Sequence, residues 1–273
     1  MNPVQHAFTS PADGTRLATY AWGDEINQPR GVVQIAHGIA EHSLRYDRLA
    51  QALTAAGYRV RAMDHRGHGK SVASAQELGN FGEPGFLGLV TDMAALGAQI
   101  AQSQPDLPLF LLGHSMGSIA AQHVVLDYSS QYTGLVLSGS TAVDVMAQNL
   151  ASAANDEPIG LEAFNAAFEP RTGYEWLSRD AAEVDKYVAD PLCGFDLPDD
   201  ALPQLFTQMD RLADAAALGE IRANLPIFII SGDADPLAGG GQLVQLLGQR
   251  YRDAGVGDVT VNLYPEARHE IFN

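Results

Sequence analysis

Short apolar runs alternate with longer stretches of helical periodicity along most of the chain. VQHAF (4–8) and RLATYAW (16–22) flank the turn residues PADG and predict a hairpin. GVVQIAH (31–37) is almost continuously apolar, as a strand buried on both faces requires. Over 44–56, Leu44, Leu49, Leu53 and Ala56 recur at helical spacing, and Gly57 stops the pattern. YRVRAMD (58–64) is strand-like, 89–103 helical, PLFLLG (108–113) a strand, 115–128 a helix and GLVLSG (134–139) a strand. After an interruption the rhythm resumes with PIFIISG (226–232), a helix over 241–253 and DVTVNLY (258–264). Strands separated by helices in this way predict a mostly parallel sheet wrapped by helices.

The interruption, 140–222, has helical and polar character and no strand-like run. The simplest partition is therefore an α/β core over 1–139 and 223–273, with a helical cap inserted over 140–222. The segment follows a strand, so it is expected to lie over the end of the sheet from which that strand emerges. Phe164, Phe168, Trp176 and Leu205 are among its many apolar residues. Most should form the cap's own core, and some should line an apolar cleft. The chain ends at Asn273, soon after DVTVNLY, and no helix follows to cover that strand. The expectation is that the sequence stops short of a covering element.

Charge narrows the range of partners. The chain carries 33 acidic and 16 basic residues, a formal net charge of −17. Such a surface repels nucleic acid and anionic membrane, and no basic run offsets it. The N-terminus lacks the charged and apolar regions of a signal peptide, and no apolar run approaches the roughly 20 residues that span a bilayer. Both features predict a cytoplasmic protein. The one cysteine, Cys193, excludes an intrachain disulfide framework.

The candidate chemistry centres on GHSMG (113–117), between a buried strand and a helix. Ser115 could cap the helix between two turn glycines. It could also be a nucleophile held at a tight strand-to-helix turn, where Gly113 and Gly117 must lack side chains. The helix N-terminus beneath it favours a developing negative charge. A serine hydroxyl needs a base, and the base needs an orienting carboxylate, in the chain order serine, acid, histidine. The C-terminal third supplies them after two successive strands, as DADPL (233–237) and then His269. Asp233 and Asp235 compete for the acid, and Asp235 is preferred because the pattern G-x-x-D-P carries it in this type of fold. Met116, just after the nucleophile, and Ile39, in the loop after GVVQIAH, are the expected backbone donors of an oxyanion hole. His114 should point away from the hydroxyl, either packing below the turn or lining the pocket. Asp64, His65, Arg66 and His68 in DHRGHGKS (64–71) read as a hydrogen-bonding hub beneath the site, not as metal ligands.

HGIAEHSLRY (37–46), MDHRGHGKS (63–71), GHSMGS (113–118), SGDADPL (231–237) and YPEARHEIFN (264–273) occur in the order seen in α/β-hydrolases. In detail they resemble the monoacylglycerol lipase and lysophospholipase branch, with its serine-aminopeptidase-like hydrolase domain. YVADPLCG (187–194) is similar to a cap segment of monoacylglycerol lipases. The resemblance implies an α/β-hydrolase fold with an eight-stranded-type sheet. It also implies Ser115 as nucleophile, Asp235 as orienter, His269 as base, and Ile39 and Met116 as oxyanion donors. The departure is the missing C-terminal helix.

The expectation is a serine ester hydrolase acting on monoacylglycerols or similar single-chain esters through an acyl-enzyme, without metal or organic cofactor. His114, Phe164, Phe168, Trp176 and Leu205 are the candidate substrate contacts. A small ester is the expected partner, with at most transient contact with lipid aggregates. The same triad could instead serve a lysophospholipid, a thioester or an aryl or phthalate-type monoester. A dehalogenase would need a carboxylate where Ser115 stands, and a binding protein on this fold would be expected to have lost a triad member.

Overall fold

The structure is a computed structural model in which residues 3–153 and 160–272 are described. Eight strands form one sheet in the order β1-β2-β4-β3-β5-β6-β7-β8. They are β1 (Val4–Thr9), β2 (Arg16–Trp22), β3 (Gly31–Ala36), β4 (Tyr58–Met63), β5 (Leu109–His114), β6 (Gly134–Ser138), β7 (Ile227–Gly232) and β8 (Val259–Tyr264). The predicted hairpin forms an antiparallel edge: β1 pairs with β2, and β2 with β4. All other pairings are parallel, with β3 and β5 in register from Val32↔Leu109 to Ala36↔Gly113.

All six residues of β3 are buried, as its unbroken apolar run required. Helices α1 (Asp47–Ala55), α2 (Gly85–Ser103), α3 (Met116–Tyr128) and α8 (Gln242–Asp253) cover the two faces. Helix α3 is buried from Met116 to Leu126, because it lies against β5 with α2 packed on it. A helix this enclosed carries no strong amphipathic signature, which accounts for its nearly uniform apolar sequence. Two predicted boundaries move. Helix α2 begins at Gly85 rather than 89, with Pro84 at its N-cap. The helix predicted over 44–56 begins as a 3₁₀ turn, Ser43–Tyr46, and becomes α-helical at Asp47. Its first side chains are drawn back: Arg45 and Tyr46 both bond to Glu41.

Between β6 and β7 the described residues hold helices and turns but no strand. The helices are α4 (Val143–Ala153), α5 (Ala181–Ala189), α6 (Ala201–Gln204) and α7 (Ala215–Gly219). Residues 154–159 of this insertion lie outside the described part. Its apolar residues are not a separate core. Met146, Leu161, Trp176 and Leu205 belong to the same cluster as Leu111, Ile119 and Leu137 of the sheet layer. Among the described residues no further strand pairs beyond β8, and alternate residues of β8 are exposed, Tyr264 among them.

The strands' carboxyl ends gather the loops that carry the candidate chemistry. β3 leads to residues 37–42, β5 to Ser115, β7 to Asp235, and β8 to His269. In an open α/β sheet this is the edge where ligands bind.

Candidate active site

Ser115 sits at φ +51°, ψ −122°, a left-handed conformation that non-glycine residues rarely adopt. The surrounding turn compels it. A Cβ at Gly113 would overlap the carbonyl of Gly117, and one at Gly117 would overlap the carbonyl of Ala36. The backbone is held on both sides: Ser115 N–H donates to Ser138 O at 3.0 Å, and Ser115 O accepts from the N–H groups of Ser118 and Ile119. The Ser115 side chain makes no capping bond to α3. Capping therefore does not explain the serine, and its hydroxyl is left at the wall of two cavities.

His269 and Asp235, 34 residues apart in sequence, meet with Nδ1 2.9 Å from Oδ2. The other oxygen of Asp235 accepts from the N–H of Leu237 at 2.9 Å. Both residues are buried to 1 % exposure. Burial opposes a charged imidazole, but the charge of Asp235 and its hydrogen bond, helped by Glu270 and Glu41, hold the His269 pKa above the ordinary 6.5. Nε2 of His269 is buried and has no hydrogen-bond partner among the described residues. His269 and Ser115 line one narrow recess. Asp233, the rival acid, is exposed and turned elsewhere: it accepts the N–H of Glu266 and braces the turn after β8.

The loop after β3 is held peptide by peptide. Nε2 of His37 accepts from the N–H of His65 at 3.0 Å, which leaves the ring proton on Nδ1 to be donated to Gly38 O at 2.7 Å. The trans peptide then points the N–H of Ile39 the opposite way. Gly38 N–H donates to Glu41 Oε1 at 2.5 Å, and Ala40 N–H to His68 Nε2 at 3.1 Å. Among the described residues no hydrogen bond is made by the N–H of Ile39 or of Met116. The histidines suit this work, since burial pushes the pKa values of His37, His65 and His68 down and keeps the rings neutral. Asp64 accepts from Tyr20 Oη and from the N–H groups of Ser43 and Lys70, while Arg66 reaches Asp92, Asp13 and Ser10. DHRGHGKS is thus a hydrogen-bonded hub between loops.

Glu41 and Arg45 had no role in the sequence reading. Glu41 joins Gly38, Tyr46 and Arg45, and Arg45 forks onto both carboxylate oxygens of Glu270, beside His269. Burial raises the Glu41 pKa, but Arg45, His114, His37 and the Gly38 N–H together outweigh it and hold the carboxyl down at about 2. The signal in sequence was the i, i+4 acid–base pair of HGIAEHSLRY. Glu270, far along the chain, gave no hint that it completes the cluster.

A cavity of about 300 Å³ opens from Ser115 between the sheet edge and the insertion. Its walls are apolar: Ile39, Met116, Ile119, Met146, Leu161, Phe164, Trp176, Leu205, Phe206 and Leu237 contribute, with Asp199 the charged exception. Of the candidate substrate contacts, Phe164, Trp176 and Leu205 reach this wall. Phe168 does not, because the guanidinium of Arg268 stacks over its ring at 4.4 Å. His114 does not either. It lies behind the turn against His269, 4.7 Å between ring centroids, and bonds Ser138 Oγ, and it borders the narrow recess instead. Burial holds its pKa down at about 3, so the ring is neutral. The recess holds only about 10 Å³ and is bordered by Glu41, His114, Tyr187 and Glu270 together with Ile39, Trp176 and Leu177.

Among the described residues, one group brings three potential metal-ligand atoms within 4.8 Å: His42, Asp190 and Cys193. His42 and Asp190 already pair at 2.9 Å, and burial raises the Cys193 thiol pKa, which opposes a ligating thiolate. Their separation along the chain kept this group out of the sequence reading.

Comparison with known proteins gives the chain's relatives. The family described as serine aminopeptidase, S33 matches residues 27–273. A monoacylglycerol lipase of Mycolicibacterium smegmatis is 33% identical, over 98% of this chain and 91% of its own. The monoglyceride lipase of Mus musculus is 31% identical, over 83% and 72%. The crystal structure of a thermostable carboxyl esterase from Bacillus coagulans, in complex with glycerol, superposes with a TM-score of 0.85 at 28% identity. The match covers all of this chain and 93% of that one.

Proposed function

Because the chain belongs to the serine aminopeptidase S33 family of α/β-hydrolases, we propose that it hydrolyses esters of one acyl chain with a small polar alcohol, monoacylglycerols foremost. It is a carboxylic ester hydrolase by kinship with lipases and esterases. The finer reading assigns Ser115 as nucleophile, His269 as general base and Asp235 as its orienter. One observation carries it. Ser115 is strained, uncapped and shares a recess with a histidine whose Nε2 is buried without a partner and whose Nδ1 is taken by a carboxylate.

The chemistry follows from these positions. Neutral His269 takes the proton from Ser115 at Nε2 while the serine oxygen bonds to the ester carbonyl carbon. Negative charge moves to the carbonyl oxygen, where the N–H groups of Ile39 and Met116 receive it. Each such donor is worth about 100- to 1,000-fold in rate. Asp235 stabilises the imidazolium that forms. The imidazolium protonates the departing alkoxide, the alcohol leaves, and water attacks the acyl-enzyme by the same route, releasing the acid and free Ser115.

The apolar cavity suits an acyl chain, while the recess beside Ser115 and His269, at about 10 Å³, has room for little more than a water molecule. Glu41 and Glu270 facing one Arg45 leave the recess net negative, which disfavours a lysophospholipid phosphate against a glycerol. The helical stretch 140–222 then acts as a cap over a core formed by 1–139 and 223–273. Among the described residues no helix is long and apolar enough to cross a membrane. An ester drawn from a lipid aggregate would be lifted into this cavity during transient contact.

The test is a panel of monoacylglycerols, lysophosphatidylcholines, acyl thioesters and p-nitrophenyl esters, run with wild type and Ser115→Ala. The expected result is highest kcat/KM on monoacylglycerols, with turnover abolished in a folded Ser115→Ala protein. Retained turnover in that variant overturns the mechanism, and preference for lysophospholipids overturns the substrate assignment.

A further inference from the structure

Resting on the acyl-transfer reading above, we propose that Tyr187 and Gly194 are positioning residues. They come from the insertion rather than the sheet, and they hold the oxyanion loop in its working shape through the carbonyl of Ala40. Ala40 has φ +52°, a left-handed conformation at a residue that carries a Cβ. Such a conformation persists only where neighbours over-determine it. His37, Glu41 and His68 fix the loop from the core side, at Gly38 O, Gly38 N–H and Ala40 N–H. Among the described residues the Ala40 carbonyl is fixed only from the insertion. It accepts from Tyr187 Oη at 2.9 Å and from Gly194 N–H at 3.0 Å.

The donors are themselves braced. The Tyr187 ring packs against Tyr174 at 5.0 Å and under the Arg45 guanidinium at 4.9 Å. Gly194 adopts φ +58°, and its own carbonyl accepts from Tyr174 Oη at 3.1 Å. Tyr174, Tyr187 and Gly194 form one strut onto Ala40. Without it Ala40 is free to leave the left-handed region. The Ile39 N–H, two peptide planes away, would then lose its aim at the developing oxyanion. The insertion also grips the base's loop, since Trp176 O and Leu177 O accept from the N–H groups of His269 and Glu270. Part of the insertion is therefore built into the catalytic frame and does more than cover it.

Tyr187 also borders the recess beside Ser115, so a direct contact with the leaving alcohol is the rival role. The two roles separate kinetically. An oxyanion hole serves both acylation and deacylation, whereas the alcohol has left before deacylation begins. Tyr187→Phe removes the hydroxyl and keeps the ring. The measurement is stopped-flow acylation and deacylation with p-nitrophenyl butyrate, plus inhibition by a butyl boronic acid. We expect both steps to slow by about ten-fold with KM little changed, a fraction of what loss of a whole donor costs. The boronate should weaken by the same factor. Tyr174→Phe, which removes the brace on Gly194 outside the recess, should slow both steps by about three-fold and guards against a fold defect in the first variant. Unchanged deacylation in both variants, with acylation slowed only for glyceryl esters, overturns the proposal. A wild-type protein that forms no acyl-enzyme with any ester overturns the ester-hydrolase reading instead.

Discussion

Replacing Asp235 by asparagine changes few atoms and should remove most of the activity. One oxygen of Asp235 accepts from Leu237 N–H and the other from His269 Nδ1, each at 2.9 Å. In Asp235→Asn the amide oxygen must stay on Leu237, because an NH₂ group cannot face that N–H. The NH₂ then meets the imidazole, which has to accept through Nδ1 and so carry its proton on Nε2. A protonated Nε2 cannot take the proton of Ser115. The equivalent exchange in a serine protease costs about 10,000-fold in kcat, or about 5 kcal/mol of transition-state stabilisation. Stability should change by about 1 kcal/mol, since the side chain keeps its shape and both bonds.

The same substitution has a pH signature. In the wild type the His269 pKa is raised above 6.5, and the neutral ring is the proposed base, so kcat/KM should rise with pH through a midpoint above 6.5. The sign for stability is opposite. A raised histidine pKa stabilises the fold below the unfolded value of 6.5, and that contribution fades as pH climbs through the folded value. Without the Asp235 charge, burial dominates and the midpoint should fall. The assay is kcat/KM for p-nitrophenyl butyrate from pH 5 to 9, with thermal melts in parallel. Asp233→Asn is the control and should stay within a few-fold of wild type, since an amide oxygen can still accept from Glu266 N–H. More than a tenth of wild-type activity in Asp235→Asn, or a larger loss in Asp233→Asn, would refute the reasoning.

Two further substitutions probe the cavity and the turn. Leu205→Trp places a larger side chain in the wall of the 300 Å³ cavity and should lower kcat/KM for dodecanoyl esters at least ten-fold while sparing butyryl esters, read from a chain-length series. Equal loss at both lengths would remove the acyl chain from that cavity. Gly117→Ala sets a methyl group against the Ala36 carbonyl at the base of the Ser115 turn, and should cost several kcal/mol of stability in denaturant unfolding. An unchanged midpoint would mean that the turn is looser than its contacts imply.

Much of the site was legible because local chemistry leaves a local trace. The turn at Ser115 must have glycines at 113 and 117, since backbone passes within contact distance of both. The apolar runs of β3 and β5 announce central parallel strands because such strands have no face toward water. The order of serine, acid and histidine after successive strands follows from a topology that brings every strand's carboxyl end to one edge. The choice between Asp233 and Asp235 was legible only as a pattern. Its physical basis is that Asp235 is buried with Oδ2 on His269, whereas Asp233 faces solvent.

The substrate side was far less legible. Phe168 and Phe164 look alike in a helical, apolar stretch, yet one lies under Arg268 and the other lines the cavity. Glu270, Tyr187 and Asp190 lie in the motifs YPEARHEIFN and YVADPLCG, but what each touches was hidden, because each bonds to a loop distant in sequence. The sequence by itself determined the strands, the turn at Ser115 and the candidate reacting groups, since these rest on periodicity and on backbone conformations that few residue types can adopt. Only the tertiary structure decided which neutral histidine holds which peptide, what braces Ala40, and which apolar residues face the cavity. Those depend on contacts between distant segments, and hydrophobic burial is indifferent to which apolar neighbour provides it.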